Sequence, residues 1–436
     1  MWIGDTFTSD VGWDHLETLV DIGNRMAGSD GERTAAEATR DALEAAGARN
    51  TRLEPFPIQG WERGQSRIET PDRPQSCIAL PRSPAGEVGG ELVDLGYGLP
   101  ADFETADLED AVVMARSDVP DHHDRYVHRR EKYCYAVANG AAGFVYRNHV
   151  PGGLPPTGSV GTEDDPIGPV PAVGVSREVG ARLARRFDGD PVTLAVDAET
   201  GDATSQNVHA ELGPDTGEEL LVTSHVDAHD ISEGAMDNGA GTAMVVELAS
   251  ALAAREADLD TRVHFVTYGA EEVGLVGSNH HADRVDTDAV RAVVNCDGVC
   301  RGRTLKLVTN TFDTLGEAAD AVADRFDHPV TVDPTCGPHS DHWPFVARGV
   351  PGTHVTSETD GEGRGWGHTH ADTLDKLEAR DLRESAILLT EYVVEVAGAD
   401  FQGDHVDPAE IGAALEAEGQ AEGMKVAGDW PFETDG

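Results

Sequence analysis

The chain has 436 residues, 39% of them hydrophobic, and a formal net charge of −47. That length exceeds what one simple core organises and predicts two domains, one inserted into the other. No run of 18 apolar residues occurs, which excludes a spanning helix, and so acidic a surface repels phosphate backbones and anionic lipid, which excludes nucleic acid and membrane as partners.

The acidity is dispersed. Asp and Glu number 80 against 33 Lys and Arg, and the lysines are only Lys132, Lys306, Lys376 and Lys425. Disorder is the alternative for such a composition, but apolar periodicity continues through the acidic stretches. The surface resembles those of proteins from salt-loving archaea, where the screening length falls to about 3 Å and self-repulsion is muted. Five cysteines (77, 134, 296, 300, 336) form no paired framework, as expected of reduced thiols. Cys296 and Cys300 bracket Asp297 and read as buried thiols rather than ligands. The segment Met1-Trp2-Ile3-Gly4-Asp5 has neither a basic region nor an apolar signal core, so the expected location is cytoplasmic.

In chain order, residues 12–47 read as helices, with Ala35, Ala38, Thr39, Ala42, Leu43 and Ala46 at helical spacing and Gly47 as a C-terminal cap. Residues 50–80 are strand-like and punctuated by proline. A composition shift near 81–90 marks a boundary. Beyond it the pattern predicts strands at 112–115 and 143–146, a helix at 125–139, a Gly/Pro-rich loop at 151–169, a strand at 170–176 and a helix through Leu183. The main fold is expected to resume after Gly201-Asp202. Strands are predicted at 219–224, 263–269, 291–296, 305–309 and 352–356, and helices at 239–255, 314–326, 341–348 and 379–397. Past Asp400 the chain is acidic, with one short helical stretch near 409–419. The organisation is therefore an N-terminal part at 1–84, an inserted domain at 85–200, a core at 201–400 and an acidic tail at 401–436. The fold class is α/β: a mixed, mostly parallel sheet sandwiched by helices.

In such sheets ligands bind beyond the carboxyl ends of strands. His225, Glu271, Glu272 and Asp297 all follow predicted strands directly, and Asp237 precedes a helix in a glycine-rich loop. A pair of divalent cations needs a bridging carboxylate plus one imidazole and one carboxylate apiece. Asp237 fits the bridge, His225 and Asp297 one ion, and Glu272 with a histidine of His368-Thr369-His370 the other. Glu271 is left as general base and Asp227 as the residue that orients His225. Taken singly, each has a blander reading: Glu271-Glu272 as a solvated helix start, Asp297 as a turn residue, His368 as surface. Their joint occurrence outweighs these. His229 and Asp230 stand close to His225, but the set is complete without them, and His280-His281 falls on a helical pattern and reads as surface.

These segments carry a resemblance. Ser224-His225-Val226-Asp227, Gly234-Ala235-Met236-Asp237-Asn238-Gly239, Gly269-Ala270-Glu271-Glu272-Val273-Gly274, Asn295-Cys296-Asp297, Ser340-Asp341-His342-Trp343 and His368-Thr369-His370-Ala371-Asp372-Thr373 resemble the co-catalytic zinc exopeptidases, the family of bacterial leucyl aminopeptidases, aminopeptidase Y and the glutamate carboxypeptidases. Arg25-Met26-Ala27-Gly28-Ser29 resembles the family's N-terminal helix junction. The inserted segment resembles a protease-associated domain, with Gly140-Ala141-Ala142-Gly143 and Val170-Pro171-Ala172-Val173 as its markers. The resemblance implies two zinc ions, peptide substrates and the roles given above, and it selects His368 over His370, with Asp372 beside it. One departure matters: many members place Tyr before the last histidine, where its hydroxyl steadies the oxyanion, and here that position is Gly367. Ser340 and His342 are the candidate replacements, with a helix cap as the structural alternative for 340–342.

The function implied is removal of N-terminal residues from peptides, by attack of a metal-bridging water with Glu271 as base. A dipeptidase or carboxypeptidase of the plasma glutamate carboxypeptidase type is the alternative; it needs a cation for the substrate carboxylate, with Arg301, Arg303, Arg348 and Arg364 available. A glutaminyl cyclase shares the fold but uses one zinc, and a receptor-like relative should have lost ligands, whereas all five positions are present here.

Overall fold

The strand Glu219–His225 is buried at every position, the pattern of a strand covered on both faces. It lies at the centre of a sheet in the computed structural model of the chain, which describes residues 2–123, 125–359 and 365–432. Arg262–Tyr268 and Val290–Cys296 run parallel on either side of it, and Gly352–Ser357 runs parallel beyond Val290–Cys296. The register aligns Tyr268 with His225 and Asn295 with Thr223, so the three central strands end together. Leu305–Val308 adds antiparallel to Gly352–Ser357, and Val330–Asp333 closes that side. This last strand has no buried face to reveal it, being half-buried at all four positions.

Alternate side chains of the central strand enter different cores, as its period of two requires. Leu220 and Val222 join the larger cluster, with Leu16, Ala243, Leu388 and other residues of the helices Val11–Asp21, Ala240–Ala253 and Ala379–Ala397. Leu221 joins Val266, Tyr268, Ala282 and Phe345 on the other side. Among the described residues no helix is long and apolar enough to cross a membrane.

A two-stranded ribbon connects this sheet to the inserted segment. Arg49–Glu69 pairs antiparallel with Pro191–Leu212, from Arg49 opposite Glu211 to Glu69 opposite Thr193. Pro55 and Pro57 are tolerated because this strand is an edge, where a missing N–H breaks no ladder. The break expected at Gly201-Asp202 does not occur, since the strand Pro191–Leu212 runs straight through it. Its other flank carries Gly86–Asp94 and then the parallel strands Val112–Arg116, Gly143–Arg147 and Ala172–Val175. All the strands thus form one continuous sheet.

Two expectations need correction. The helix predicted over 341–348 is only Trp343–Val346 and has no side-chain cap, because Ser340 bonds elsewhere. The acidic tail holds two helices, Pro408–Ala417 and Ala421–Ala427. The second packs on the inserted segment's helix Arg129–Ala138. Tyr135 Oη donates to Glu422 at 2.9 Å, and Arg130 pairs with Asp429.

Candidate metal centre

Because the central strands end together, the residues after them meet. His225 Nε2 lies 3.4 Å from Asp237 Oδ1, 3.9 Å from Glu271 Oε2 and 4.0 Å from Asp297 Oδ1. The other oxygen of Asp237 turns the opposite way, 3.2 Å from His368 Nε2, which also lies 3.2 Å from Glu272 Oε2. Asp237 is thus shared between two groups of donors. His370, two residues beyond, is exposed.

A layer of hydrogen bonds fixes these groups. Asp227 reaches the His225 ring mainly through its backbone, with His225 Nδ1 3.1 Å from the carbonyl oxygen and 3.5 Å from the carboxylate. Its carboxylate instead accepts the backbone N–H of Glu271 and of Glu272, at 3.1 and 3.2 Å. Asp372 does the same for the Asp237 loop, accepting from Met236 N at 2.7 Å and Asp237 N at 3.1 Å. Thr223 donates to Asn295, Asn295 to Ser340 (2.8 Å), and Ser340 to Asp297 Oδ2 (2.7 Å). The Ser340 hydroxyl is therefore committed to Asp297 rather than free for an oxyanion. His342 is fully buried and stacked on His354, so neither residue replaces the tyrosine hydroxyl missing at Gly367.

The junction before the helix Asp30–Ala45 supports the site from behind. Ser29 caps Glu32 N, and the Glu32 carboxylate accepts from Gly28 N, Ser205 Oγ and Ala270 N, the residue before Glu271. Burial, and then Asp227, push Glu32 up to about 8. Arg25 is buried and donates to the carbonyls of Leu19, Val226, Glu233 and Gly234. It ties the chain after His225 to the chain before Asp237.

Charge decides what the centre needs. Burial raises the Glu271 carboxyl well above its ordinary range against the pull of His225, with Glu272, Asp341 and Asp297 adding to the rise. Against the same burial, His229 and His368 hold Glu272 well below it. Asp341 is pushed up to about 8 and Asp372 to about 7, both chiefly by burial. Among the described residues, His225 Nε2, Glu272 Oε1 and His368 Nδ1 are buried without a hydrogen-bond partner. Crowded carboxylates converging on the unpartnered His225 Nε2 and on His368 Nε2 are a donor set that fits divalent cations.

Three features escaped the sequence. His229, set aside there, is buried with Nε2 2.9 Å from Glu272 Oε2 and its ring edge-on to His368, and the three form one potential ligand group. Its only signal was closeness to His225. The inserted segment forms part of the wall, with His128, Arg129 and Ser159 lining the cavity of about 70 Å³ beside Asp237 and His368, and Thr157 N donates to the carbonyl of His368 at 2.8 Å. Of the arginines available for a substrate carboxylate, Arg301 lies 3.6 Å from Asp237 Oδ2, whereas Arg303 pairs with Glu384 and Arg348 with Asp283. Arg364 lies outside the described residues. A larger cleft of about 610 Å³ follows the ribbon by Gly28, Trp61 and Gly201 and holds none of these groups.

Imidazoles and carboxylates converging beyond the carboxyl ends of a mostly parallel sheet define a metal-dependent hydrolase. Residues 207–393 match Peptidase family M28 and residues 88–183 match the PA domain. By these matches the chain is similar to peptidases of family M28 and, in its inserted segment, to PA domains. It is 28% identical over 403 residues to aminopeptidase YwaD of Bacillus subtilis (strain 168), which spans 86% of this chain and 81% of that protein. The aminopeptidase from Aneurinibacillus sp. strain AM-1 superposes with a TM-score of 0.69 at 25% identity, covering 93% of this chain and 98% of its own. A peptidase M28 precursor from Shewanella amazonensis SB2B shares the fold with a TM-score of 0.77 at 23% identity, over 93% of this chain and 97% of that one.

Proposed function

We propose that the chain is an aminopeptidase whose centre holds two divalent ions, zinc by preference, and cleaves the first residue from peptides. The observation that carries this reading is Asp237, with one oxygen 3.4 Å from His225 and the other 3.2 Å from His368. In this reading Asp237 bridges, His225 and Asp297 serve one ion, and Glu272 and His368 the other. Ions bound there supply Lewis acidity to the scissile carbonyl and lower the pKa of water. Glu271 accepts the proton of the attacking water and returns it to the leaving amine. Burial suits it to that task by raising its affinity for the proton. Asp227, holding the N–H groups of residues 271 and 272, fixes base and ligand in one geometry.

The small cavity, closed on one side by the inserted segment, suits a substrate presenting a chain end. The aminopeptidase activity named for the relatives supports the amino end. Arg301 beside Asp237 favours a second reading, in which it receives the carboxylate of a dipeptide or C-terminal residue. Digestion of N-blocked against C-amidated peptides separates the two. The first reading expects the C-amidated peptide to be cut and the N-blocked one spared, and the reverse result overturns it. We also read the enzyme as cytoplasmic and built for high salt. This rests on the charge of −47 and on free cysteines, of which Cys296 is pushed up to about 12 by burial, the state of an inert thiol.

A further inference from the structure

A second histidine cluster lies away from the catalytic centre. His209 comes from the strand Pro191–Leu212, His264 from Arg262–Tyr268 and His281 from the helix Val276–Ala282, which covers that face of the sheet. His264 is four residues before Tyr268, the register partner of His225. The strand rise therefore separates the two places by about 13 Å. Sequence periodicity placed His281 on the surface, but it is buried, as are His209 and His264.

We propose that these three imidazoles form a further metal site, tetrahedral and selective for a borderline divalent ion such as zinc. The first argument is geometric. One ring nitrogen of each lies within 4.8 Å of the others. Ligation at about 2.0–2.1 Å in a tetrahedral arrangement places imidazole centroids about 5 Å apart, and the observed separations are 5.1, 5.2 and 5.7 Å.

The second argument is the surrounding layer. A ligating histidine has its remote nitrogen held by an oxygen, which fixes ring orientation and tautomer. His209 Nε2 lies 2.9 Å from Glu54 Oε2, His264 Nδ1 3.2 Å from Glu219 Oε2, and His281 Nδ1 3.0 Å from Tyr268 Oη. All three rings meet that condition. The nitrogens left over on His209 and His264 face each other at 3.0 Å, a separation that serves either a direct hydrogen bond or a shared ion. Three imidazoles with no carboxylate among the donors suit zinc, copper, nickel or cobalt rather than calcium or magnesium. Glu54, whose side chain is 33% exposed, opens the cluster to solvent.

The consequence is mechanical. The helix Val276–Ala282 follows directly on the loop carrying Glu271 and Glu272, and an ion shared by His281 and the two strands pins that helix to the sheet. The test is anomalous diffraction at the zinc edge on wild-type crystals equilibrated with zinc chloride. A peak among the three imidazoles is expected. No peak there, whether or not the catalytic centre is loaded, overturns the proposal. In solution, zinc analysis of Asp237→Ala after gel filtration should find an ion retained per folded chain, and a zinc-free folded variant also overturns it. His281→Gln should hold one zinc fewer than wild type with peptidase activity retained. Should that variant fail to fold, the crystal and the Asp237→Ala measurement decide alone.

Discussion

Two histidine clusters share the strand Arg262–Tyr268 but follow opposite electrostatic rules. Beyond its carboxyl end, Asp237, Glu271, Glu272 and Asp297 crowd against His225, His229 and His368, and the acids face the common space. Near its amino end, His209, His264 and His281 face one another, while Glu54 and Glu219 stand behind the rings. In the first place negative charge accumulates where cations and a polarised carbonyl are to sit. In the second the carboxylates stand behind the rings and orient them. The same residue types, turned inside out, give a centre for chemistry and one for attachment.

Substitutions can break or sharpen that contrast, and the largest effects belong at the acid-rich end. Glu271→Gln is expected to lower kcat about 10²–10⁴-fold, the range for losing a general base, with metal content unchanged. Asp237→Ala should lose both activity and the catalytic ions. Turnover at the wild-type rate in Glu271→Gln, measured on aminoacyl-anilides, would remove that residue from the mechanism. His229→Asn takes away the ring 2.9 Å from Glu272 and should weaken metal binding or turnover about 10–100-fold, as the loss of an orienting partner does. Metal titration and kinetics that match wild type would return His229 to a packing role. Ser340→Ala frees Asp297 Oδ2 from its 2.7 Å donor, and about a tenfold loss in metal affinity is expected.

The smallest effect belongs at the histidine-rich end and is seen in acid. The hydrogen bond with His209 holds Glu54 down to about 2 against the cost of burial, and His264 with Arg262 hold Glu219 to about 2 against the same cost. Both lie below the ordinary value of 4.5. Each carboxylate thus favours the folded state above pH 4.5 and loses that contribution as pH falls toward 2. Thermal unfolding of Glu219→Gln across that window should be less pH-sensitive than that of wild type. Identical slopes would show that Glu219 does not carry this part of the acid response.

Much of the acid-rich end was legible because His225, Glu271, Glu272 and Asp297 follow apolar strands, and parallel strands that end in register bring such residues together whatever their distance in sequence. The histidine-rich end was not. His209 and His264 sit within strands, where alternation reads them as facing residues, and His281 lies in a seven-residue helix too short to show which face is buried. His229 was overlooked because its partner Glu272 is brought to it by the adjacent strand, and nothing local announces that. The same holds for Asp227, whose carboxylate serves the backbone of residues 271 and 272 rather than its neighbour's ring. At Gly201-Asp202 the strand Pro191–Leu212 runs on without a pause, because both of its halves belong to one continuous sheet. Ser340-Asp341-His342 looked like a cap because small polar residues precede a helix there, but a 2.7 Å bond to Asp297 takes the hydroxyl away.

The tail helix Ala421–Ala427, bound to the inserted segment through Tyr135–Glu422 and Arg130–Asp429, changes what the ribbon can do. A domain hung on two strands alone could swing about them like a door. Here the helix Ala421–Ala427 packs on the inserted segment's helix Arg129–Ala138, so the wall presenting His128, Arg129 and Ser159 is held at a second edge, far in sequence from His225 and Asp237.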